Sequence, residues 1–578
     1  MFKYVVNQLR KTPGSNIDIQ NKLPKGATLA PLIVATDKTQ LTQFSGSKQA
    51  YPVYLTLGNI PRHLRRKPSQ QACVLLGYLP VDKVEKAGLT QHEHTGRYQR
   101  LFHDAMRHLF SPLVEAGENG IEMTSADGAV RRVHPVLACY VADFPEQCLV
   151  TCSKYGTCPK CKCGAKNLSN PLRSDLRTPD WTLDVMAGAR ASTTSSAQYF
   201  KACMAEEVSG YVFRPFWADL PHTNIHLSIT PDVLHQLYQG VFKHIISWCQ
   251  DILGNAELDH RIRLMPEAFG VRHFKNRISA LSQISGSERK DMARILLGCI
   301  VDSPNMPQDA ITAVRAILDF IHIAQYPSHD DATLSYLTEA LNLWESKKSI
   351  FIKLGIHDTL NIPKFHSLLH YVEMIRCFGT TDNYNTEMFE RLHIDYAKKA
   401  WRATNKRDEY PQMTKWLSRQ ENIFSFDREI AWILEQKRIQ ETSLLSTTSP
   451  SSSLNNSPLS SSPSPPPSRH WLPKTPSATR SLEDIATNHQ VPLFRAHLHD
   501  YLTMLKPGST RADLRSSYVA GNVFHRLDTF HILKFQGTSL EGLEGRDVIK
   551  ASPADGGRFD AAIVLTGDDG EATGLTGK

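Results

Sequence analysis

Short apolar runs separated by turn residues mark the first quarter of the chain. Runs at residues 30–35, 51–57 and 72–79 predict three strands, the last two bounded by Gly, Pro and Asn. Residues 97–116 carry apolar side chains at helical spacing. Residues 136–142 (VLACYVA) are continuously apolar, which is typical of a strand covered on both faces. The resulting order β-β-β-α-β predicts an α/β fold.

The pattern changes after this region. Residues 182–379 read mainly as helices, and residues 383–402 predict a further helix. Residues 442–480 enclose a Ser/Pro-rich stretch that cannot build a core, so they predict a disordered linker. The last hundred or so residues regain strand-like runs at 529–535 and 559–565 and predict a small β-rich C-terminal module.

Composition sets the broad class. The chain has 578 residues, of which 41% are hydrophobic and 21% charged, so it is neither wholly disordered, nor collagen-like, nor a bare coiled coil. No apolar run reaches the roughly 18 to 20 residues that cross a bilayer, and the N-terminus does not read as a signal peptide. We therefore expect an intracellular protein without a membrane partner. The net charge of +8 permits a nucleic-acid partner without demanding one.

Carboxylates stand at two strand ends. Asp37 follows the first strand and Asp143 follows the fourth. This topology is that of an RNase H-like fold, in which the first and fourth strands are neighbours. A third acid from the later helix, Glu390 or Glu387 with Asp395 a weaker option, would complete a ligand set for two divalent metal ions, which act in phosphodiester cleavage. The alternative for each Asp is a turn or cap residue.

Cysteines cluster just after the fourth strand. Five of the 11 lie within sixteen residues, which in a reducing compartment favours metal binding over disulfides. Cys158 and Cys161 form a C-x2-C knuckle that supplies half of a zinc site. The 24 histidines make accidental pairs common. Candidates for the other half are the nearby Cys148, Cys152 and Cys163, His235 of the Asp232-x2-His235 pair, and the His366-x3-His370 pair.

Two basic runs flank the candidate acids. Both suit contacts with DNA phosphates, and the alternative is an ordinary solvated charged face. One run follows the second strand and the other follows the helix with the glutamates; their members are Arg62, Arg65, Arg66 and Lys67, and Lys398, Lys399 and Arg402.

Several long motifs occur in a recognisable order. They include LPKGATLAPLIVATDKTQLTQFSGSKQAYPVYLTLGNI, HPVLACYVADFPEQCLVTCSKYGTCPKCKC, ITPDVLHQLYQGVFKHI and FHSLLHYVEMIRCFGTTDNYNTEMFERLHIDYAKKAWRATN, within about residues 22–423. The sequence resembles the Plavaka-type transposases of the Kyakuja–Dileera–Zisupton group, which are related to the CACTA-type DDE transposases.

This resemblance implies a DDE catalytic domain with an RNase H-like fold, interrupted by a large helical insertion. It implies Asp37, Asp143 and Glu390 as catalytic ligands of Mg²⁺ or Mn²⁺, with Asp232 and Glu387 as rivals. The accessory motifs match Cys158 and Cys161, Asp232 and His235, and His366 and His370, and we expect structural Zn²⁺ at Cys158, Cys161, His366 and His370.

The resemblance also implies an activity and its partners. The expected enzyme cleaves phosphodiesters at transposon ends and transfers the strands to target DNA, as a homo-oligomer in the nucleus. Family members often carry zinc-finger-like elements ahead of the catalytic domain, whereas here the resemblance begins close to residue 1. The alternative is therefore a catalytically inactive or domesticated relic that acts as a DNA-binding protein.

Together these patterns predict seven segments. They are an N-terminal segment (1–24), the first part of the RNase H-like core (25–150), a Cys-rich zinc knuckle (151–180), the helical insertion (181–380), the catalytic Glu helix with the end of the core (381–441), the linker (442–480) and the C-terminal module (481–578).

Overall fold

The structure is a computed structural model. It describes residues 16–42, 48–81, 88–125, 128–268, 270–281 and 283–447, together with short segments between residues 469 and 559. The chain divides into two compact units, Met1–Ser443 and Leu444–Lys578. Among the described residues, no helix combines the length and the apolarity that crossing a bilayer requires.

A five-stranded mixed sheet forms the centre of the first unit. The strands of this unit are β1 (Thr28–Thr36), β2 (Thr39–Gln40), β3 (Gln49–Ala50), β4 (Pro52–Leu57), β5 (Cys73–Tyr78), β6 (Ile121–Thr124) and β7 (Val130–Val141). The strand order in the sheet is β5-β4-β1-β7-β6. Strand β1 pairs antiparallel with β4 and parallel with β7, whereas β2 and β3 pair with each other.

The α/β class predicted from the sequence is confirmed, and four strands lie where the apolar runs indicated. Strand β6 and the β2–β3 pair were missed. All four residues of β6 are exposed, so no buried alternation marks it as a strand. The pair β2–β3 has only two residues in each strand, which is too short for a pattern.

The two faces of the sheet pack against different helices. On one face, Val34 and Tyr140 pack with Phe102 and Phe110 of the helix Gln91–Asn119. On the other face, Ile33, Ala35 and Tyr54 pack with Phe389 and Leu392 of the helix Thr386–His393. Neighbours along β1 thus point to opposite faces, as the two-residue strand period requires. The second contact places the predicted glutamate helix directly on the sheet.

Helices account for most of the remaining first unit. The α-helices are Asn16–Lys22, Arg62–Arg65, Gln91–Asn119, Phe144–Thr151, Pro179–Ser192, Ser196–Ala205, Ile225–Ser228, Lys243–Leu253, Asn255–Leu264, Gly286–Ile300, Gln308–Ile323, Asp331–Lys347, Ile350–Lys353, Pro363–His366, Tyr371–Phe378, Thr386–His393, Ala400–Arg402 and Glu409–Thr447. The 3₁₀ turns are Pro68–Gln70, Ala165–Asn167, Phe216–Asp219, Ser367–His370 and Thr381–Asn383. Two π-helical stretches are Val233–Phe242 and Ile394–Lys399.

The helices between residues 233 and 375 share a core of their own. At its centre the Trp248 and Trp344 rings stack on Phe365 with centroid distances of 5.5 and 5.0 Å. A fully buried aromatic ring stabilises a core by about 1.5–3 kcal/mol. Phe365 and Leu368 belong to this second core, which therefore anchors the segment that carries His366 and His370.

In the second unit the described segments are mainly strands. These are β8 (Arg469–Trp471), β9 (Ala478–Ser481), β10 (Arg526–Thr529), β11 (Ile532–Thr538), β12 (Glu544–Ser552) and β13 (Arg558–Phe559), with one helix, Leu482–Asn488. They form a four-stranded sheet, β13-β12-β11-β8, and a pair, β10-β9. The predicted run at 529–535 falls on β10 and β11, whereas most of the run at 559–565 lies outside the described residues.

Candidate active site and metal centre

Two acids leave the sheet at the same edge. Asp37 follows the last residue of β1, and Asp143 lies two residues beyond the end of β7. These strands are parallel neighbours, with Ala35 opposite Val141, so both acids emerge at the same end. The side chain of Asp37 is 41% exposed. Asp143 also caps the helix Phe144–Thr151, because its Oδ1 accepts the Glu146 N–H at 3.0 Å.

Glu390 approaches from the helix that covers this face. Its neighbours Phe389 and Leu392 point into the sheet core, whereas the Glu390 side chain is 35% exposed. Glu390 Oε1 lies 3.3 Å from His235 Nε2. The pKa of Glu390 responds to Asp37, which places the two carboxyls in one electrostatic environment.

Asp232 and His235 enter through a chain segment that extends the sheet edge. Ile229 forms a parallel bridge with Tyr140 near the end of β7, and Asp232 follows as the N-cap of the π-helical stretch. Both Asp232 oxygens are occupied. They accept hydrogen bonds from Leu234 N (3.0 Å), His235 N (3.0 Å), His235 Nδ1 (2.6 Å) and Thr386 Oγ1 (2.7 Å). Asp232 therefore holds His235 in place and has little capacity left for a ligand.

Electrostatics tie these residues into one cluster. Burial raises the pKa of Asp143 and of Glu390, and the charges of Asp37 and Asp232 raise both further, while His235 lowers both. Burial lowers the pKa of His235, but the hydrogen bond and charge of Asp232, followed by the charges of Glu390 and Asp143, outweigh this and raise it to about 9. The cluster thus contains several carboxylates and one internal cation.

The donor chemistry of Asp37, Asp143 and Glu390 fits a divalent cation. A positive charge reduces the electrostatic repulsion between half-buried carboxylates. Carboxylate oxygens are also the hard ligands that Mg²⁺ and Mn²⁺ prefer. The cluster is open, because its acids are partly exposed.

Glu146 is a further acid of the cluster that sequence reasoning missed. It accepts a hydrogen bond from Thr36 Oγ1, which also lies 2.8 Å from Tyr140 Oη. Burial raises the pKa of Glu146 to about 8, against hydrogen bonds from Thr36 and Tyr51 that lower it. Its only sequence signal is its position three residues after Asp143, on the first turn of the same helix.

His393 was also missed. Its Nε2 lies 3.3 Å from Asp37 Oδ2, and its Nδ1 lies 3.0 Å from the hydroxyl of Tyr54. His393 stands three residues after Glu390 on one helix, and this spacing, which places side chains on one face, could have revealed it.

The other acids considered on this helix have basic partners. Glu387 pairs with Lys290 and accepts a hydrogen bond from Asn385 Nδ2 at 3.2 Å. Asp395 pairs with Arg391 at 2.8 Å and with Lys399 at 2.7 Å.

Cys158, Cys161, His366 and His370 meet in a second, fully buried group. Their ligand atoms all lie within 4.8 Å of one another, and within the part of the chain that the structure describes this is the one such group of three or more His, Cys, Asp or Glu. Cys158 Sγ lies 3.3 Å from His370 Nε2, and Cys161 Sγ lies 3.2 Å from His366 Nε2. Two thiols and two imidazoles are a ligand set for one metal ion such as zinc.

The surroundings of this Cys₂His₂ group support metal binding. His366 Nδ1 lies 3.2 Å from the Leu168 carbonyl oxygen, the kind of contact that orients metal-bound histidines. The Arg177 guanidinium donates to the carbonyls of Cys158 and Cys161, both at 2.9 Å. Burial raises the pKa of the Cys158 thiol, but hydrogen bonds from Cys161 and the histidines lower it well below its ordinary value.

The other candidate zinc ligands lie outside this group. Cys148, Cys152 and Cys163 are buried thiols, and burial raises the pKa of each. Cys152 Sγ lies 3.5 Å from His103 Nε2, and His235 belongs to the carboxylate cluster.

Residues 12–249 match the family model described as Plavaka transposase. Over that stretch the chain is similar to the Plavaka transposases. No curated protein matches the sequence. The matched residues include Asp37, Asp143, Cys158, Cys161 and Asp232, whereas Glu390, His366 and His370 lie beyond them.

The first basic run packs against the segment that leads into the helix Thr386–His393. Arg62 and Arg66 both pair with Asp382, at 2.7 and 3.2 Å. Arg65 is buried, with one hydrogen bond to Asn383 Oδ1 at 3.1 Å. Lys67 is half-buried and Arg66 is exposed.

The second basic run spans the end of the π-helical stretch Ile394–Lys399 and the short helix Ala400–Arg402. Lys399 and Arg402 are exposed and Lys398 is half-buried, although Lys399 pairs with Asp395. The two runs therefore differ in their partners: Arg62 and Arg66 of the first pair with Asp382, whereas Lys399 of the second pairs with Asp395.

Proposed function

We propose that the chain is a DDE-type DNA transposase that cleaves and transfers transposon DNA, with Asp37, Asp143 and Glu390 as its catalytic acids. The observation that carries this proposal is the parallel pairing of β1 with β7, which brings Asp37 and Asp143 to one sheet edge. Glu390 shares the electrostatic environment of that edge. The similarity of residues 12–249 to the Plavaka transposase family model supports this reaction class.

The sheet supports an RNase H-like core. Strands β1, β4 and β5 are consecutive antiparallel neighbours, and β7 lies on the other side of β1 in parallel. This is the arrangement expected of the first four strands of such a core. The outer strand β6 is a hairpin partner of β7.

The structure favours Asp143 and Glu390 over their rivals. Both oxygens of Asp232 already accept hydrogen bonds, including one from Thr386, and Glu387 is paired with Lys290. Asp143 uses one oxygen as a helix cap, and its other oxygen stays available. Glu390 contacts His235 Nε2 at 3.3 Å, and its side chain is 35% exposed.

Each acid has a role that its geometry supports. Asp37, Asp143 and Glu390 would hold Mg²⁺ or Mn²⁺, whose chemistry in such sites is to neutralise phosphate charge and to activate the attacking hydroxyl. Asp232 holds the His235 ring through Nδ1, and the ring orients the Glu390 carboxylate from Nε2. Basic side chains of the exposed run, such as Arg402, would contact the DNA backbone.

The Cys₂His₂ group has a structural role in this proposal. It joins residues 158–161 to residues 366–370, which are far apart in sequence, and so fixes the helical region to the core. We further expect the protein to act in the nucleus, on transposon ends and target DNA, as a homo-oligomer that pairs two ends.

The test is a nicking and strand-transfer assay of the purified full chain on supercoiled plasmid with Mg²⁺ or Mn²⁺. We expect metal-dependent cleavage by the wild type and its loss in Asp143→Asn, which retains a capping side chain. The matched control is Asp395→Asn, an acid of the glutamate helix region with basic partners, which should retain cleavage.

Two results would contradict the proposal. Equal cleavage by Asp143→Asn and the wild type would remove the acid cluster from the chemistry. A folded, zinc-loaded wild type that binds DNA but does not cleave it would identify a catalytically inactive relic instead.

A further inference from the structure

His393 is an imidazole of the carboxylate cluster that the proposed mechanism does not use. Its side chain is only 5% exposed, and Nε2 points at the cluster, 3.3 Å from Asp37 Oδ2. The charge of His393 also lowers the pKa of Glu390, so the ring lies close to two of the three proposed catalytic acids. A π-helical stretch begins directly after His393, and such stretches are frequent at functional sites.

The distance suits two ligands of one ion. Donors at about 2.1 Å from an ion and at right angles lie about 3 Å apart. Nε2 of His393 and Oδ2 of Asp37, at 3.3 Å, need only a small adjustment to reach this separation.

The other ring nitrogen is held as a metal-bound histidine requires. Nδ1 lies 3.0 Å from the hydroxyl of Tyr54, a fully buried residue on β4. When Nδ1 carries the proton and donates it to Tyr54 Oη, Nε2 presents its lone pair to the cluster. The ring also packs against Tyr54 at a centroid distance of 5.7 Å, which limits its rotation.

The second imidazole of the cluster is held differently. His235 Nδ1 donates to the Asp232 carboxylate at 2.6 Å, and its Nε2 lies 3.3 Å from Glu390 Oε1. Two flanking carboxylates favour a proton on each nitrogen, which leaves no lone pair for an ion. His235 is therefore the matched control for His393.

We propose that His393 Nε2 is a ligand of the divalent cation held by Asp37, which makes the donor set mixed oxygen and nitrogen. This inference rests on the proposed function, because it needs the cation at the acid cluster. Imidazole binds first-row transition ions better than it binds Mg²⁺. The proposal therefore predicts that Mn²⁺ binds more tightly than Mg²⁺ and that His393 contributes the difference.

The experiment uses zinc-loaded full-length protein with Mn²⁺ as the probe. Pulsed EPR detects the magnetic coupling between Mn²⁺ and a bound imidazole nitrogen, and [¹⁵N]histidine labelling identifies it as histidine. We expect this coupling in the wild type, its loss in His393→Gln and its retention in His235→Gln. By calorimetry, His393→Gln should weaken Mn²⁺ binding about 10- to 100-fold and Mg²⁺ binding less.

The outcomes separate this inference from the proposed function. Mn²⁺ binding that depends on Asp37 but shows no histidine coupling overturns the inference and leaves the acid site standing; His393 would then only position Asp37 by a hydrogen bond. Coupling that disappears in His235→Gln also overturns it. If the wild type does not bind Mn²⁺, or if Asp37→Asn and Asp143→Asn bind it as tightly as the wild type, the proposed function itself is contradicted.

A second variant covers the case in which His393→Gln does not fold, as judged by zinc content and thermal unfolding. Tyr54→Phe keeps the imidazole and removes the hydroxyl that holds Nδ1. The histidine coupling should persist in Tyr54→Phe while Mn²⁺ affinity falls. Unchanged Mn²⁺ affinity in a folded Tyr54→Phe protein would overturn the assigned orientation of His393.

Discussion

The Cys₂His₂ group and the carboxylate cluster are built from similarly distant parts of the chain but are organised in opposite ways. In the first, all four side chains are buried and their ligand atoms lie within 4.8 Å of one another. In the second, Asp37 and Glu390 are 41% and 35% exposed, and each meets a histidine at 3.3 Å. A closed set of four ligands is typical of structural zinc, whereas an open set leaves positions for a substrate.

The difference in exposure suggests that the Cys₂His₂ group stabilises the fold and that the carboxylate cluster provides the chemistry. The closed group joins residues 158–161 to residues 366–370, and each of its four ligands would add to the stability of the metal-loaded protein. The open cluster keeps like charges together; burial raises the pKa of Asp143 and Glu390, and the repulsion from Asp37 and Asp232 raises both further. Such strain persists only where the surrounding fold enforces it, which is common at functional sites. Changes in the first group should therefore affect folding, and changes in the second should affect chemistry.

The largest expected effect is the loss of folding in Cys161→Ser. The substitution removes a buried thiol that lies 3.2 Å from His366 Nε2. Loss of a structural metal belongs to the most destabilising class of mutation, about 4 kcal/mol or more. Denaturant unfolding together with zinc content by mass spectrometry measures the effect.

Cys163→Ser is the matched control, because Cys163 is buried beside the group without belonging to it. It should retain zinc and lose about 1 kcal/mol. If both variants lose zinc and stability equally, the ligand set is wrong.

The next effect is on catalysis, in Asp143→Asn. Removal of one proposed metal ligand should lower the cleavage rate by about 10³-fold or more. The free energy of unfolding of zinc-loaded protein without Mg²⁺ or Mn²⁺ should stay equal or rise slightly, because one repelling charge is lost while Asn still caps the helix. Cleavage kinetics and denaturant unfolding are measured on the same preparation.

Asp143→Ala provides the internal control for capping. Ala cannot accept the Glu146 N–H, so this variant should lose about 1 kcal/mol of stability in addition to activity. A large loss of stability in Asp143→Asn would mean that the cluster is structural and would remove the contrast between the two sites.

Much of this contrast was accessible from the sequence. The apolar runs predicted β1, β4, β5 and β7, and the family resemblance supplied the Cys₂His₂ set that the structure brings together. Local patterns work here because strands and buried helices repeat with fixed periods.

Other features depend on tertiary contacts that no local pattern reveals. Tyr54 and His393 meet across 339 residues, and Thr36 meets Glu146 across 110. The ion pairs of Arg62 and Arg66 with Asp382 likewise join segments more than 300 residues apart. This basic run, whose sequence suggested DNA contacts, therefore forms ion pairs within the protein. The π-helical stretches are also invisible to a 3.6-residue pattern.

The third prediction concerns pH and the repulsion within the open cluster. The folded pKa of Glu146, about 8, lies above its ordinary value of 4.5. Its contribution to stability is therefore complete below about pH 4.5 and is lost as the pH rises through 8, by on the order of a few kcal/mol. Relative to Glu146→Gln, the zinc-loaded wild type without Mg²⁺ or Mn²⁺ should lose stability over this range.

The interval from pH 5 to 6.5 gives the cleanest comparison. His235, whose pKa is about 9, stays protonated there, whereas it adds its own loss of stability between about 6.5 and 9. Denaturant midpoints across this interval measure the slope. If the denaturant midpoint changes equally with pH in the wild type and in Glu146→Gln, Glu146 does not contribute to the pH dependence of stability. The Cys₂His₂ group is not expected to add to the slope in zinc-loaded protein.

The smallest expected effect tests the link that holds the open cluster together. Thr386 Oγ1 donates to Asp232 Oδ1 at 2.7 Å from the first turn of the helix that carries Glu390. Thr386→Val keeps the shape and removes this donor, so stability should fall by about 1–2 kcal/mol. Cleavage should fall several-fold, because Asp232 holds the His235 ring that meets Glu390. Thr386→Ser retains the hydroxyl and should restore most of the activity. If Ser behaves like Val, packing of the methyl group rather than the hydrogen bond joins the two segments, and the open cluster depends on core contacts as the closed one does.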